Sequence, residues 1–142
     1  MSALTGRCYC GALHVGTKAS PQTVAYCHCS DCRRLSGAPV AAFAAFDPAH
    51  VVITPRWPDA KSHAKGVKRW FCPECGTQLG ATYDYLPDQV YMPVGLFDQA
   101  DRLQPQLHSH ADSALPWLHI DDGLPRNAAS SRASLTMASC DS

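Results

Sequence analysis

The chain has 142 residues, enough for one ordinary domain and too few for two. Its 12 Lys and Arg are balanced by 12 Asp and Glu, which argues against a protein built to grip nucleic acid non-specifically, because that requires a positive surface. A hydrophobic content of 46% against 17% charged excludes a disordered chain, and the longest apolar run, Pro39 to Phe46, is too short to span a bilayer.

Eleven Pro and nine Gly cut the chain into short pieces and leave little room for long helices. In chain order, strands are expected at Ala12–Val15, Thr23–Tyr26, Val40–Phe46, Val51–Thr54, Lys68–Phe71, Gln78–Tyr83 and Gln89–Val94. Each is short and rich in β-branched or aromatic residues, and turn formers often flank it. One short helix is expected at Asp31–Ser36, capped by Ser30 and stopped by Gly37. The domain is therefore expected to be mainly β, with short antiparallel strands, over residues 1–125. Residues 126–142, rich in Ala and Ser and without periodicity, read as a frayed tail. The segment before Cys8 has no apolar stretch, so no secretory signal and a cytoplasmic location are expected.

Eight cysteines need a physical reason. Seven of them fall in three tight clusters, Cys8/Cys10, Cys27/Cys29/Cys32 and Cys72/Cys75; the eighth, Cys140, lies in the tail and is set aside. Clustering, an odd number and the expected reducing compartment all argue for metal over disulfides. In Cys72-Pro73-Glu74-Cys75-Gly76 two sulfurs turn toward one ion, with Gly76 free to take the positive φ such a turn needs. Cys8-Tyr9-Cys10-Gly11 repeats the trailing glycine. A Cys-x-Cys pair alone is weaker evidence, since residues i and i+2 of a strand share a face anyway. Together the two pairs supply four thiolates, a closed tetrahedral zinc site. Such an ion contributes about 10–16 kcal/mol of apparent binding energy in small zinc domains, comparable to the whole stability of a typical domain at about 5–15 kcal/mol.

Cys27-His28-Cys29-Ser30-Asp31-Cys32-Arg33 gathers three more cysteines, enough for a second zinc with its fourth position open, the hallmark of a catalytic rather than a structural ion. His28 lies between two ligands and in extended chain points away from them. A closed second site completed by His28, His108, His110 or water, and other divisions of the seven cysteines, remain alternatives at this point. Four plus three is the simplest.

Gly6-Arg7-Cys8-Tyr9-Cys10-Gly11, Cys27-His28-Cys29-Ser30-Asp31-Cys32-Arg33 with Ser36-Gly37, and Arg69-Trp70-Phe71-Cys72-Pro73-Glu74-Cys75-Gly76-Thr77 resemble the glutathione-dependent formaldehyde-activating enzyme family, whose domain is shared with centromere protein V. Leu115-Pro116-Trp117-Leu118-His119-Ile120-Asp121-Asp122-Gly123-Leu124-Pro125 resembles the end of that domain. The resemblance implies a β-tent fold, of the type also seen in methionine-R-sulfoxide reductases. It implies a structural zinc on Cys8, Cys10, Cys72 and Cys75, and a functional zinc on Cys27, Cys29 and Cys32, two per chain. The implied reaction joins glutathione to formaldehyde, a carbon–sulfur lyase reaction run in reverse. In many members an aromatic stands where this chain has His110.

For that chemistry an open zinc binds the thiol as thiolate or polarises the aldehyde oxygen. An anionic thiol such as glutathione needs cations; Arg33, beside the cysteines, is the first candidate for substrate binding, with Arg34, Lys65, Lys68 and Arg69 behind it. His28, His108 and His110 are candidates for moving a proton at neutral pH. The competing reading is a non-catalytic zinc-stabilised binding module with two structural metals. Neutral charge and the lack of interleaved aromatic and basic residues weigh against a nucleic-acid partner. A methionine sulfoxide reductase would need a reactive cysteine outside the clusters, and only Cys140 is spare.

Overall fold

The computed structural model describes residues 3–131. Along the chain run β1 (Thr5–Arg7), β2 (His14–Thr17), β3 (Thr23–Cys27), a short helix α1 (Ser30–Ser36), β4 (Ala41–Phe46), β5 (Val51–Thr54), β6 (Val67–Phe71), β7 (Gln78–Tyr83), β8 (Leu86–Pro93) and β9 (Leu107–Ser109), with single 3-10 turns between some of them. They form two sheets. One is a three-stranded antiparallel sheet in the order β1-β2-β5, the other a six-stranded sheet in the order β6-β7-β8-β4-β3-β9. All pairs are antiparallel except β9, which joins β3 in parallel. The domain is mainly β, as expected.

Strand alternation sorts the apolar side chains into two cores. On one face of the large sheet Val24, Ala44, Phe46, Leu79, Val90 and Met92 pack against Val15, Val51 and Ile53 of the small sheet. The next residue along each strand faces the other way: Ala25, Ala45 and Tyr91 join Phe43, Tyr83, Leu86 and Leu107 in a second cluster. Cys27, two residues after Ala25, ends β3 on this second face, opposite Ala41 on β4 and Ser109 on β9. The first face thus holds the sheets together, and the second carries the three-cysteine loop.

Several boundaries differ from expectation, each for a local reason. β2 begins at His14 rather than Ala12 because residues 8–13 form a turn, in which Cys8 N–H donates to Leu13 O at 3.0 Å. The cap of α1 is Cys29, not Ser30: its sulfur accepts from Cys32 N–H at 3.3 Å, while Gly37, at φ 73°, closes the other end as expected. β8 starts at Leu86, and β1 and β9 had no counterpart among the expected strands. Residues 126–131, expected to fray, instead lie along β9: Asn127 N–H donates to His108 O at 2.9 Å, His110 N–H donates to Ala129 O at 2.8 Å, and Ser131 is buried. Hydrogen-bonded chain therefore continues past Pro125 as far as the described residues reach. Cys140 and the rest of the expected tail lie outside the described residues. No helix among the described residues is long and apolar enough to cross a membrane.

Candidate metal centres

Two cysteine groups have ligand atoms within 4.8 Å of one another: Cys8, Cys10, Cys72 and Cys75, and separately Cys27, Cys29 and Cys32. The division is the four-plus-three one.

The first group is built from two turns of the same design. In each, the first cysteine's carbonyl accepts from the glycine that follows the second, Gly11 N–H to Cys8 O at 3.1 Å and Gly76 N–H to Cys72 O at 2.8 Å. Both glycines hold the left-handed conformation, φ 81° and 80°, that a side chain resists. Tyr9 N–H donates to Thr77 Oγ1 at 2.9 Å and fastens one turn to the other. Cys8 and Cys72 are fully buried while Cys10 is exposed. The Cys8–Cys10 and Cys10–Cys72 sulfur separations are 3.6 and 3.9 Å. A tetrahedron with metal–sulfur bonds of about 2.3 Å has edges of about 3.8 Å. These sulfurs stand at metal-ligand spacing, not at the roughly 2.05 Å of a disulfide.

The second group sits on one short loop. β3 delivers Cys27, and the start of α1 delivers Cys29 and Cys32. Cys27 lies 3.5 Å from Cys29 and 3.2 Å from Cys32, sulfur to sulfur. So close together, the sulfurs cannot all be charged. Hydrogen bonds from Cys27 and then Cys32 pull Cys29 down to about 2, while Cys29 as neighbour pushes Cys27 up to about 11, and both partners raise Cys32. In the four-cysteine group a hydrogen bond from Thr77 likewise lowers Cys75 to about 5. Such a pool favours a dication, which lets every sulfur ionise at once. Both clusters fit a soft divalent metal such as zinc.

His28 is no ligand of the second group. Its ring turns to the opposite side of the strand from Cys27, where Nε2 lies 2.8 Å from Nδ1 of His108, whose Nε2 lies 2.9 Å from Asp122 Oδ2. Burial holds His28 below the ordinary histidine range, followed by the charges of His108 and Arg126. His110 is within electrostatic reach of Cys29 and favours its thiolate. Its backbone is left-handed at φ 54°, uncommon for a residue with a Cβ. Arg33 NH1 donates to two carbonyls, His28 O and Ser113 O, both at 2.6 Å, which makes this side chain a tether between the cysteine loop and the C-terminal segment. Arg34, Lys65 and Lys68 are exposed.

Beside Cys27 and Cys32 lies a cavity of about 60 Å³, walled also by Phe43, Tyr83, Tyr85 and Tyr91. Larger hollows, of about 600 and 750 Å³, border the four-cysteine group instead. Arg69 places its guanidinium over the Tyr83 ring at 5.9 Å, and its Nε is buried without a hydrogen-bond partner. The aromatic wall carried no signal in the sequence beyond ordinary strand composition, since its members come from three strands and a turn.

A mainly-β domain with one four-cysteine and one three-cysteine group, each able to hold a metal ion, defines a class of small cysteine-rich β proteins. Within it, the family model described as glutathione-dependent formaldehyde-activating enzyme matches residues 3–113, and this chain belongs to that family. Among solved structures, the crystal structure of a Rhodobacter sphaeroides protein from a structural-genomics programme is similar, with a TM-score of 0.52 and 18% identity over 87% of this chain and 99% of that one; it shares the fold. A search of curated proteins gave no match.

Proposed function

We propose that this protein is an enzyme that joins a small anionic thiol, glutathione by the family's description, to formaldehyde, with Cys27, Cys29 and Cys32 holding a zinc and Cys8, Cys10, Cys72 and Cys75 a second, structural one. One observation carries the reading. Three sulfurs converge, two of them from residues that line an aromatic cavity, and among the described residues no fourth Cys, His or carboxylate completes the set. When bound there, zinc supplies a Lewis acid that favours the thiolate of an incoming thiol or the polarised form of an aldehyde.

A cavity of about 60 Å³ is small and walled by aromatic rings, which suits a one-carbon aldehyde or its hydrate. The tripeptide itself must lie outside, along the sheet. Arg69 is the cation we assign to its carboxylates, because Arg33 is already committed to backbone carbonyls. Of the three histidines, His28 and His108 are bound to each other behind the strand, so His110 is assigned the proton transfer. The reaction needs no oxidant: the thiol sulfur bonds to the carbonyl carbon, the C=O π bond breaks, and the thiol proton ends on the oxygen, giving an S-hydroxymethyl adduct. Holding the partners together supplies most of the acceleration.

Native mass spectrometry of the full chain with and without glutathione tests this. Two zincs per chain and a glutathione adduct that disappears in Cys29→Ser are expected. Two zincs without any adduct would favour the non-catalytic binding module, and fewer than two would remove the open metal site.

A further inference from the structure

Resting on the reading of Cys27, Cys29 and Cys32 as a metal site, we propose that Asp122 and His108, acting through His28, are positioning residues for the three-cysteine loop. The contacts are continuous. Asp122 Oδ2 and Oδ1 lie 2.9 and 3.2 Å from His108 Nε2, and His108 Nδ1 lies 2.8 Å from His28 Nε2. Both rings are buried, His28 at 4% and His108 at 1% exposure.

The hydrogens follow from what each group can give. A carboxylate only accepts, so His108 Nε2 carries the hydrogen. With that single hydrogen on the His108 ring, Nδ1 is an acceptor and His28 Nε2 is the donor to it. Each ring's tautomer and tilt is thus set from the Asp122 end. Tyr26 stacks on His108 with centroids 4.7 Å apart and 21° between planes, so that ring cannot swing. Asp122 is itself fixed by Arg126 NH1 at 3.1 Å and by Leu124 N–H at 3.2 Å.

The far end of this chain is the residue between two of the three sulfurs. His28 is held at its ring by His108, at its N–H by Ser109 O at 3.1 Å, and at its carbonyl by Arg33. With three grips on one residue, the Cys27 and Cys29 backbones on either side have little freedom. Metal sites commonly place a carboxylate behind a ligating histidine to fix it. Here the carboxylate–histidine pair acts instead on the main chain between two thiolates. Asp122 and Arg126 lie beyond residues 3–113, the part that matches the family model, so this support comes from the C-terminal segment of this chain.

The test loads the full-length protein with Co²⁺, whose absorption bands report thiolate geometry, and follows release of the ion to a chelator. The wild-type chain is expected to take two ions. Asp122 is 23% exposed, so Asp122→Ala is expected to keep its melting transition and its four-cysteine ion, while the second ion leaves about tenfold faster with shifted bands. Asp122→Asn keeps an oxygen that can accept from His108 and should restore most of the wild-type spectrum and rate. Two ions released from Asp122→Ala at wild-type rates with an unchanged spectrum would overturn the proposal and leave the metal site standing. Loss of both ions together with a lowered melting temperature would also overturn it, showing a merely structural role. A wild-type chain that takes only one ion would remove the metal reading itself, and this proposal with it.

Discussion

Arg69 is poorly placed for stability, which is the ground for assigning it to binding. Its guanidinium lies over Tyr83, its Nε is buried without a partner, and among the described residues it forms no ion pair. A buried donor left unpaired costs about 1–3 kcal/mol, against about 0.5–1 kcal/mol gained from a cation over an aromatic ring. Tyr83 and Tyr85, whose hydroxyls are pushed up first by burial, both feel the Arg69 charge and those of the cysteines, so Arg69 shares one electrostatic environment with the three-thiol site. Arg69→Gln is therefore expected to leave the melting temperature unchanged or slightly raised. It should raise KM for glutathione by roughly 10- to 100-fold, the value of one charge-assisted hydrogen bond, with little change in kcat. Steady-state rates with glutathione and with an uncharged thiol separate the effects; an equal KM rise for both thiols would rule out carboxylate recognition.

At the scale of elements, two glycines make contrasting predictions. A Cβ at Gly6 on β1 would collide with the Leu96 carbonyl and come within 2.9 Å of Val15 Cγ1. The clash is with backbone, which cannot step aside, so Gly6→Ala is expected to cost about 1–3 kcal/mol or more. A Cβ at Gly76 meets nothing within 4 Å, but φ there is 80°, so Gly76→Ala is expected to cost only the left-handed backbone energy, about 1–2 kcal/mol. Denaturant titration of both variants checks the order; Gly76→Ala as the more damaging would mean that the turn tolerates less change at its cysteines than the backbone alone implies. The same contrast explains what the sequence could reveal. The cysteine turns were legible because Cys-x-x-Cys-Gly, and more weakly Cys-x-Cys-Gly, encode their geometry locally, and β3, β4, β5 and β7 were legible through composition and flanking turn formers. β1 and β9 have three residues each, too few to carry a period, and exist because a neighbouring strand offers them hydrogen bonds. The His28–His108 contact spans 80 positions, and nothing in either local sequence announces the other. Residues 126–131 looked like tail because their order comes from β9, not from periodicity of their own.

For the molecule as a whole, the two clusters do unequal structural work, and loop length says by how much. The four-cysteine group joins residues 62 apart, Cys10 and Cys72, and so ties the β1–β2 turn to the β6–β7 turn, with Cys8 and Cys72 inside the main core. The three-cysteine group joins residues at most five apart, Cys27 and Cys32, within one loop that β3 and α1 already define. The entropy of closing a loop grows as about 1.5 RT ln n, so with a metal ion in each group the first cross-link would restrain the unfolded chain by about 2 kcal/mol more than the second. It also takes out two buried thiols that, without metal, would sit in the core as weak hydrogen bonders. Stepwise chelation is therefore expected to be asymmetric. The first ion removed should come from Cys27, Cys29 and Cys32, with circular dichroism nearly unchanged and glutathione binding lost. Removal of the second should coincide with cooperative unfolding, because that ion's binding energy is comparable to the stability of the whole domain. Following metal content, far-ultraviolet dichroism and thermal melting in the same titration checks the order. Unfolding at the loss of the first ion would mean that the three-cysteine loop supports the second core, where Ala25, Leu107 and Tyr91 pack beside it, more strongly than its short span predicts.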